Sequence, residues 1–302
     1  MGTMALDELR NLIGRHARPD ATTAIDGLRL SSVDNTDEHH SLTAPQLVLL
    51  AQGGKRLLLG EEVFEYRAGD CLVISAEVPV SGHFFGVSRQ APALGLGLVL
   101  RPTVIAPLLL AAPTDRRAES ISSGQAMATG KAEPELLDAV LRLLRLLDHP
   151  GDAKVLAPLY EQEILWRLLT GPHGPLVRQI GLADSGLSLV GRAISWIRDN
   201  YAEPIRVADL ARLAGMSESA FHRHFRAVTT MSPIQYRKLI RLQEARALLV
   251  ARPGDVAGIG HLVGYDSPTQ FSREYRELFG APPGQDAARL RADGSFGVTQ
   301  LP

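Results

Sequence analysis

A short pattern occurs twice near the C-terminus, and it limits the possible folds more than any other feature of this 302-residue chain. Residues 215–233 read GMSESAFHRHFRAVTTMSP, and residues 264–283 read GYDSPTQFSREYRELFGAPP. The shared positions are Phe221-Arg223-Phe225-Arg226 in the first copy and Phe271-Arg273-Tyr275-Arg276 in the second. Because the aromatic residues lie four apart, each copy predicts an amphipathic helix with buried rings and exposed arginines.

The first copy is preceded by a helical stripe that consists of Val207, Leu210, Ala211 and Ala214. Gly215 is expected to end that helix and permit a sharp turn, and Ser217 suits the N-cap of the next helix. The residues that should face inward there are Phe221, Phe225 and Val228. The residues that should face outward are Ser219, His222, Arg223 and Arg226. This arrangement is typical of a helix-turn-helix, whose second helix enters the major groove of DNA.

The second copy repeats this plan. Its stripe consists of Val256, Ile259 and Val263, Gly264 makes the turn, and Ser267 or Asp266 caps the next helix. The residues predicted to face inward are Phe271, Tyr275 and Leu278. Those predicted to face outward are Thr269, Ser272, Arg273 and Arg276. A helix over 233–250 separates the copies, and it could hold two recognition helices about 34 Å apart, in successive major grooves.

An alternative interpretation is that each copy is only a helical hairpin. In that case Arg223 and Arg273 would be surface residues in i,i+4 ion pairs, although neither has an acidic residue four positions before it. The charge distribution favours DNA, because residues 1–187 carry a net charge of −5 and residues 188–302 carry +4. A basic C-terminal part on an otherwise acidic chain indicates a polyanionic partner.

Residues 45–100 are predicted to form β-structure. Short apolar runs alternate there with turns at Gly53-Gly54, Gly60-Glu61 and Gly69-Asp70, which is typical of an antiparallel sandwich or barrel. The predicted strands are rich in Leu, Val, Ile and Phe, so we expect a mainly apolar interior. The whole chain is therefore predicted to be α+β, with an antiparallel β-barrel before an all-α C-terminal domain.

Two helices are predicted between these parts. The first has a stripe of Leu136, Val140, Leu143, Leu144 and Leu147. The second has a stripe of Leu159, Ile164, Leu165, Leu168 and Leu169. The GPHGP segment at 171–175 should end the second helix, and residues 181–188 are expected to form a linker. The first helix could join two chains in a homodimer or cover the barrel.

Residues 190–284 resemble the DNA-binding domain of the AraC/XylS family of bacterial transcription regulators. The similarity lies in VADLARLAGMSESAFHRHF, SPIQYRKLIRLQEARALL and VGYDSPTQFSREYRELFGAPP. It implies double-stranded operator DNA and RNA polymerase as partners. It also implies base contacts from Ser219, His222, Arg223, Thr269, Ser272 and Arg273. Arg226 and Arg276 would then contact phosphates.

The sequence departs from the family pattern at few positions. Thr230 stands where a glycine usually ends the helix, and a Thr in the left-handed region costs on the order of 1 kcal/mol. Gly258 and Gly260 lie inside a predicted helix, where each costs about 0.5–1 kcal/mol relative to Ala. We expect Gly260 to serve close helix packing.

Residues 44–110 and the helix YEQEILWRLLTGPHG at 160–174 resemble the cupin-like N-terminal part of one subgroup of these regulators. The resemblance implies a sensor or dimerisation domain over 1–130, a helical connector and linker over 131–187 and the DNA-binding domain over 188–302. We expect the barrel to bind a small organic effector without a metal. The alternative is a solid barrel that only dimerises.

The competing function is a cupin-type enzyme or binding protein with an accessory nucleic-acid domain. Cupin metal sites need spaced histidines, but His39 and His40 are adjacent and should point to opposite faces of a strand, while His83 stands alone. No catalytic constellation is recognisable, so we expect neither enzyme activity nor a cofactor. Cys71 is interpreted as an apolar strand residue, with a redox-sensing thiol as the alternative.

The chain has no long apolar run or signal-peptide pattern, and Cys71 is its single cysteine. These features predict a protein of the reducing cytoplasm with no membrane partner.

Overall fold

The computed structural model describes residues 2–112, 125–182 and 186–292. The chain divides into two compact units, with the main division between Leu189 and Val190. The first unit contains all the described strands, and the regular structure of the second unit is helical over the residues described. This agrees with the predicted α+β class and its order along the chain.

The strands of the first unit form two antiparallel sheets. Their bounds are β1 Leu28–Val33, β2 His39–Thr43, β3 Gln46–Gln52, β4 Gly54–Leu59, β5 Glu62–Arg67, β6 Asp70–Ile74, β7 Val78–Phe85, β8 Ala93–Val99 and β9 Met127–Lys131. The strand order is β1-β8-β3-β6-β9 in the five-stranded sheet and β2-β7-β4-β5 in the four-stranded sheet. Every residue from Gln46 to Ala51 is buried, as expected for a strand that is covered on both faces.

Glycines mark the predicted turns between β3 and β6. Gly53, Gly60 and Gly69 have φ values of 82°, 61° and 85°, a conformation that glycine adopts without a steric penalty. The turn at Gly60 joins β4 and β5 within one sheet, whereas those at Gly53 and Gly69 carry the chain between sheets. The predicted series of strands and turns is thus confirmed.

Within the described part of this unit, five helices accompany the sheets. They are α1 Gly2–His16, α2 Pro102–Ala111, α3 Pro134–Arg145, α4 Pro150–Thr170 and α5 Gly174–Gly181. Helix α3 packs on α1 and α4 and buries most of its predicted stripe, so it covers its own unit. Two details of the stripes are wrong: Leu147 follows the end of α3, and Leu159 is 55% exposed. Leu159 lies on the outer face of α4, because the buried face of this helix contains Ile164, Leu165 and Leu168.

The helices of the second unit are α6 Gly186–Asp199, α7 Val207–Leu213, α8 Glu218–Thr229, α9 Pro233–Ala251, α10 Val256–Leu262, α11 Pro268–Phe279 and α12 Pro283–Ala292. The linker expected over 181–188 is wrong at its C-terminal end, since α6 already begins at Gly186. The buried stripe of α6 starts at Val190, and a helix needs a preceding turn to supply hydrogen-bond acceptors for it. Helix α9 has 19 residues, a length of about 28 Å.

Candidate nucleic-acid interface

The first helix-turn-helix consists of α7, a four-residue connection over 214–217 and α8. Leu210, Ala211 and Ala214 are buried, and Gly215 has a φ of 67°. The amide of Met216 donates to the Ala211 carbonyl at 2.9 Å, which closes the helix end in the manner of a Schellman motif. Only a left-handed residue completes this turn without strain, so Gly215 fixes the exit direction of the chain.

Helix α8 presents two chemically different faces. The Ser217 hydroxyl accepts a hydrogen bond from the Ala220 amide at 3.3 Å and so caps the helix, as predicted. Phe221 and Phe225 are fully buried, and the Phe225 ring meets Tyr236 of α9 edge-on at 5.5 Å between ring centres. The exposed residues include the four predicted to face outward, Ser219, His222, Arg223 and Arg226.

The second helix-turn-helix, α10 and α11, has the same backbone plan. Gly264 has a φ of 88°, and the Tyr265 amide donates to the Gly260 carbonyl at 2.9 Å. The N-cap of α11 is Ser267, whose hydroxyl accepts from the Gln270 amide at 3.3 Å. Asp266, the alternative cap, is therefore not needed.

Helix α11 also separates a buried from an exposed face. Phe271 and Tyr275 are fully buried, while Leu278 is only partly buried and Phe279 takes part in the core instead. The outward residues Thr269, Arg273 and Arg276 are exposed, and Ser272 is half-buried. The two helices thus display matching sets of polar side chains on matching backbones.

Two of the unusual backbone positions behave as the sequence indicates. A Cβ at Gly260 would lie 3.0 Å from the Phe271 ring, so the glycine permits close packing of α10 on α11. Thr230 has a φ of 61°, the left-handed conformation that glycine usually supplies at such a position. The helical Gly258 amide donates to Asp255, which caps α10.

The arginines of the two recognition helices differ in their partners. Arg273 lies 3.9 Å from Glu277, one turn further along α11, so the i,i+4 pairing considered from sequence does occur in this copy. Both side chains are more than half exposed, and such a pair contributes at most about 0.5 kcal/mol. The contact is therefore weak enough to give way to another partner of Arg273.

A buried ionic network supports α11 from behind. Asp286 of α12 is fully buried and accepts hydrogen bonds from Arg246 of α9 at 2.8 Å and from the Tyr275 hydroxyl at 2.9 Å. Burial alone would raise the pKa of Asp286, but hydrogen bonds and charge from Arg246, assisted by Tyr275 and Arg289, bring it below its usual value. The network fixes the inner face of α11 against α9 and α12.

Arg241 of α9 holds the turn of the second helix-turn-helix. Its guanidinium donates to the carbonyls of Tyr201 at 3.0 Å and Ala202 at 3.1 Å, and also to the carbonyl of Gly264. A Cβ at position 264 would collide with this guanidinium. Gly264 is therefore required both for its left-handed conformation and for the approach of Arg241.

Periodicity did not point to Arg241, Arg246 or Asp286. The partners of Arg241 lie at least 23 residues away along the chain and Asp286 lies 40 residues from Arg246, and a charged residue in a helical sequence normally indicates an exposed position. The one available signal was the position of Arg246 beside Ala245 on the buried side of α9, and it is too weak to identify a partner.

The candidate residues of the first unit have a different character. Cys71 is fully buried in β6, and its sulfur lies 3.3 Å from Nε2 of His173. Burial raises the pKa of Cys71 to about 12, with further contributions from Asp70 and Glu133. A sensing thiol needs a lowered pKa. These surroundings therefore favour the interpretation of Cys71 as an apolar strand residue over that of a sensing thiol. Over residues 2–112, 125–182 and 186–292, no three His, Cys, Asp or Glu side chains are grouped to hold a metal ion.

Two family models match the chain. The AraC-type transcriptional regulator N-terminus matches residues 24–176, and a helix-turn-helix domain matches residues 210–289. None of the described helices is both long and apolar enough to cross a membrane.

Similar proteins include the HTH-type transcriptional regulator ArgR of Pseudomonas aeruginosa, 27% identical over 163 residues, which are 53% of this chain and 49% of ArgR. The HTH-type transcriptional activator RhaS of Salmonella paratyphi A is 26% identical over 156 residues, 51% of this chain and 55% of RhaS. The chain thus spans about half the length of these curated relatives.

A similar fold occurs in ToxT from Vibrio cholerae, in a crystal structure with a bound unsaturated fatty acid. The TM-score is 0.56 at 8% identity, with 86% of this chain and 94% of ToxT covered. Because the N-terminal family model alone matches just over half of the residues, the chain belongs to the family of AraC-type transcriptional regulators.

Proposed function

We propose that this chain is a DNA-binding transcription regulator, not an enzyme, and that it reads an operator with α8 and α11 in adjacent major grooves. The observation that carries the proposal is the duplicated helix-turn-helix with matched exposed side chains. Residues 188–302 form the DNA-binding domain in this proposal, and their net charge of +4 suits a polyanion.

We divide the outward side chains of α8 and α11 into two groups. We assign base contacts to Ser219, His222 and Arg223 of α8 and to Thr269, Ser272 and Arg273 of α11. Arg226 and Arg276, further along their helices, are assigned to phosphates. Arginine fits both tasks, since its planar donors pair with guanine and with phosphate oxygens.

Residues 1–130 form a sensor in this proposal, and residues 131–187 form its helical connector. The fatty acid that is bound to ToxT supports a small organic effector here, because the folds are alike. Regulation requires the effector to favour one arrangement of the protein over another. A homodimer and contact with RNA polymerase complete the proposal, and the name of RhaS as an activator supports activation as the sign. This proposal places the protein in the cytoplasm, because a transcription regulator acts on chromosomal DNA.

The test begins with selection of bound sequences from a random DNA pool by the full-length protein. Arg223→Ala and Arg273→Ala should each lose about 1–3 kcal/mol of discrimination at one operator position, because a bidentate contact to guanine is lost. Arg226→Ala and Arg276→Ala should weaken binding to operator and random DNA alike and reduce the dependence on salt. Equal losses on operator and random DNA for all four variants would contradict the assigned roles.

A further inference from the structure

Three polar side chains and one aromatic ring lie on the buried face of the four-stranded sheet. We call them the interior cluster, which consists of Lys55 on β4, His39 and Ser41 on β2, and Phe84 on β7; Ser41 follows His39 by two residues and therefore points to the same face of β2. Lys55 is fully buried, and its ammonium lies 4.2 Å from the centre of the Phe84 ring. The His39 ring stacks on the same Phe84 ring, with 5.9 Å between centres and 20° between planes. The mainly apolar interior expected from the sequence thus contains a polar region.

Two members of the cluster have polar atoms that are buried without a matching group. Both ring nitrogens of His39 and the hydroxyl of Ser41 are out of contact with solvent and make no hydrogen bond of normal geometry within the described part of the chain. Buried polar atoms in folded proteins are nearly always paired, and each exception calls for an explanation such as strain, a functional role or a bound water or ion. His39 and Ser41 therefore have a capacity for hydrogen bonds that the described part of the fold does not use.

The charge state of His39 defines what it can offer. Burial lowers the pKa of His39 to about 2, assisted by the positive charge of Lys55 and opposed by a backbone interaction with Asp37. The ring is therefore neutral at physiological pH and has one N–H donor. The Ser41 hydroxyl supplies a second donor, and Lys55 supplies an amine that carries a positive charge when it is protonated.

This set of donors distinguishes between classes of ligand. None of the four side chains is acidic, so a cation or an amine would find no counter-charge among them. A lysine ammonium has donors but no acceptor, which suits a ligand whose oxygens accept. A carboxylate has two such oxygens and a negative charge, and its apolar remainder can pack on Phe84 and on the buried aliphatic residues of the sheets.

We infer that the interior cluster is the site where the N-terminal unit holds the carboxylate group of a small organic acid. This inference rests on the proposed function, in which that unit binds an effector. Burial lowers the pKa of Lys55, and a bound carboxylate would counteract that effect by stabilising the ammonium.

The cluster lies beside an edge of its sheet. Strand β2 is the outermost strand on that side, and its first four residues, His39–Leu42, are only half-buried. A ligand could therefore reach the cluster by displacement of one edge strand, while the pairs β7·β4 and β4·β5 remain intact. The same displacement would alter the position of β2, which gives effector binding a structural consequence.

The experiment uses the full-length protein and a panel of acids with matched amides. The panel contains the straight-chain carboxylates from acetate to decanoate, benzoate and succinate, each beside the corresponding primary amide. Thermal unfolding should show at least one acid that raises Tm while its amide does not, and titration calorimetry then gives its Kd. Lys55→Met should raise the Kd for that acid by at least about tenfold, since a charge-assisted contact is lost.

Two further variants separate binding from stability. Ser41→Ala removes a buried hydroxyl, so it should leave Tm without ligand unchanged or raise it, and yet weaken binding of the acid. Lys154→Met, which removes an exposed lysine of α4, should change neither property. A structural role alone predicts the opposite for Ser41→Ala, namely a lower Tm and unchanged affinity.

The inference is overturned if no acid exceeds its amide, or if Lys55→Met and Ser41→Ala both retain the wild-type Kd. Binding of the unliganded protein to the selected operator is measured in parallel. If the protein binds an acid but does not bind any selected operator, the proposed regulator is refuted and the carboxylate site stands. The reverse result would refute the carboxylate site alone.

Discussion

The two helix-turn-helix units have nearly the same backbone but different chemistry. Helix α8 carries two arginines, two histidines and one glutamate, whereas α11 carries two arginines and two glutamates. The core behind α8 is aromatic, with Phe225 against Tyr236, while the core behind α11 includes the buried Asp286 network. A repeated motif therefore keeps the same helix-turn-helix plan while the core and the charge of each copy differ.

The largest difference in stability should appear when the buried network behind the second helix-turn-helix is broken. Asp286→Ala leaves Arg246, which is only 13% exposed, without its carboxylate. Loss of one partner of a buried pair costs about 3–5 kcal/mol in the free energy of unfolding. Urea unfolding of the full-length protein measures this cost.

The matched control is Asp209→Ala in the first helix-turn-helix, where Asp209 pairs with Arg212 on the surface at 3.1 Å. An exposed pair of this kind contributes less than about 1 kcal/mol. Equal effects of the two substitutions would show that the network behind α11 does not stabilise it.

Acid should affect the same network with a predictable sign. The pKa of Asp286 is lowered in the folded chain. Its contribution to stability is therefore fully present above the unfolded pKa of about 3.9 and is lost as the pH falls through the lower folded pKa. Asp286→Asn should show a shallower loss of stability in this acid range, as measured by urea midpoints. An unchanged slope would contradict the assignment.

A smaller difference in stability concerns one buried position that both helix-turn-helix copies share. Gly260 lies four residues before the turn glycine Gly264, and Ala211 lies four residues before Gly215. Although the first helix-turn-helix has an alanine at this position, the new Cβ of Gly260→Ala would press on the Phe271 ring. Such overpacking costs about 1–3 kcal/mol. Thermal and urea unfolding would detect the change.

The reciprocal substitution Ala211→Gly is the control for Gly260→Ala. It should cost about 0.5–1 kcal/mol, from backbone entropy in a helix. If Gly260→Ala stabilised the protein, the Phe271 ring would have to move freely, and helix propensity would decide at both positions.

The sequence predicted local features of these units well. The stripes, the turns at Gly215 and Gly264 and the caps Ser217 and Ser267 depend on residues within one or two turns of each other, so periodicity and capping rules are sufficient. The Arg246–Asp286 pair and the Cys71–His173 contact span 40 and 102 residues. No local pattern encodes such a pair.

The burial of Lys55 was likewise beyond the sequence. A lysine in a strand is normally exposed, and only the pairing of β4 with β7 places it over Phe84. The roles of the DNA-facing residues remain predictions, because they concern a partner and not the fold.

The smallest expected effect tests the difference in surface charge. Glu277 follows the aromatic Phe271 by six positions, and the corresponding residue after Phe221 is Ala227. Glu277→Ala removes a negative charge beside Arg273 and should strengthen binding to all DNA by a few tenths of a kcal/mol, about twofold. Ala227→Glu should weaken binding by a similar factor, since it gives Arg223 the i,i+4 partner that Arg273 already has. Fluorescence anisotropy at two salt concentrations measures both changes, and each should shrink at the higher salt, where exposed charges are screened. Changes of the same sign, or changes independent of salt, would mean that this charge difference does not distinguish the two units.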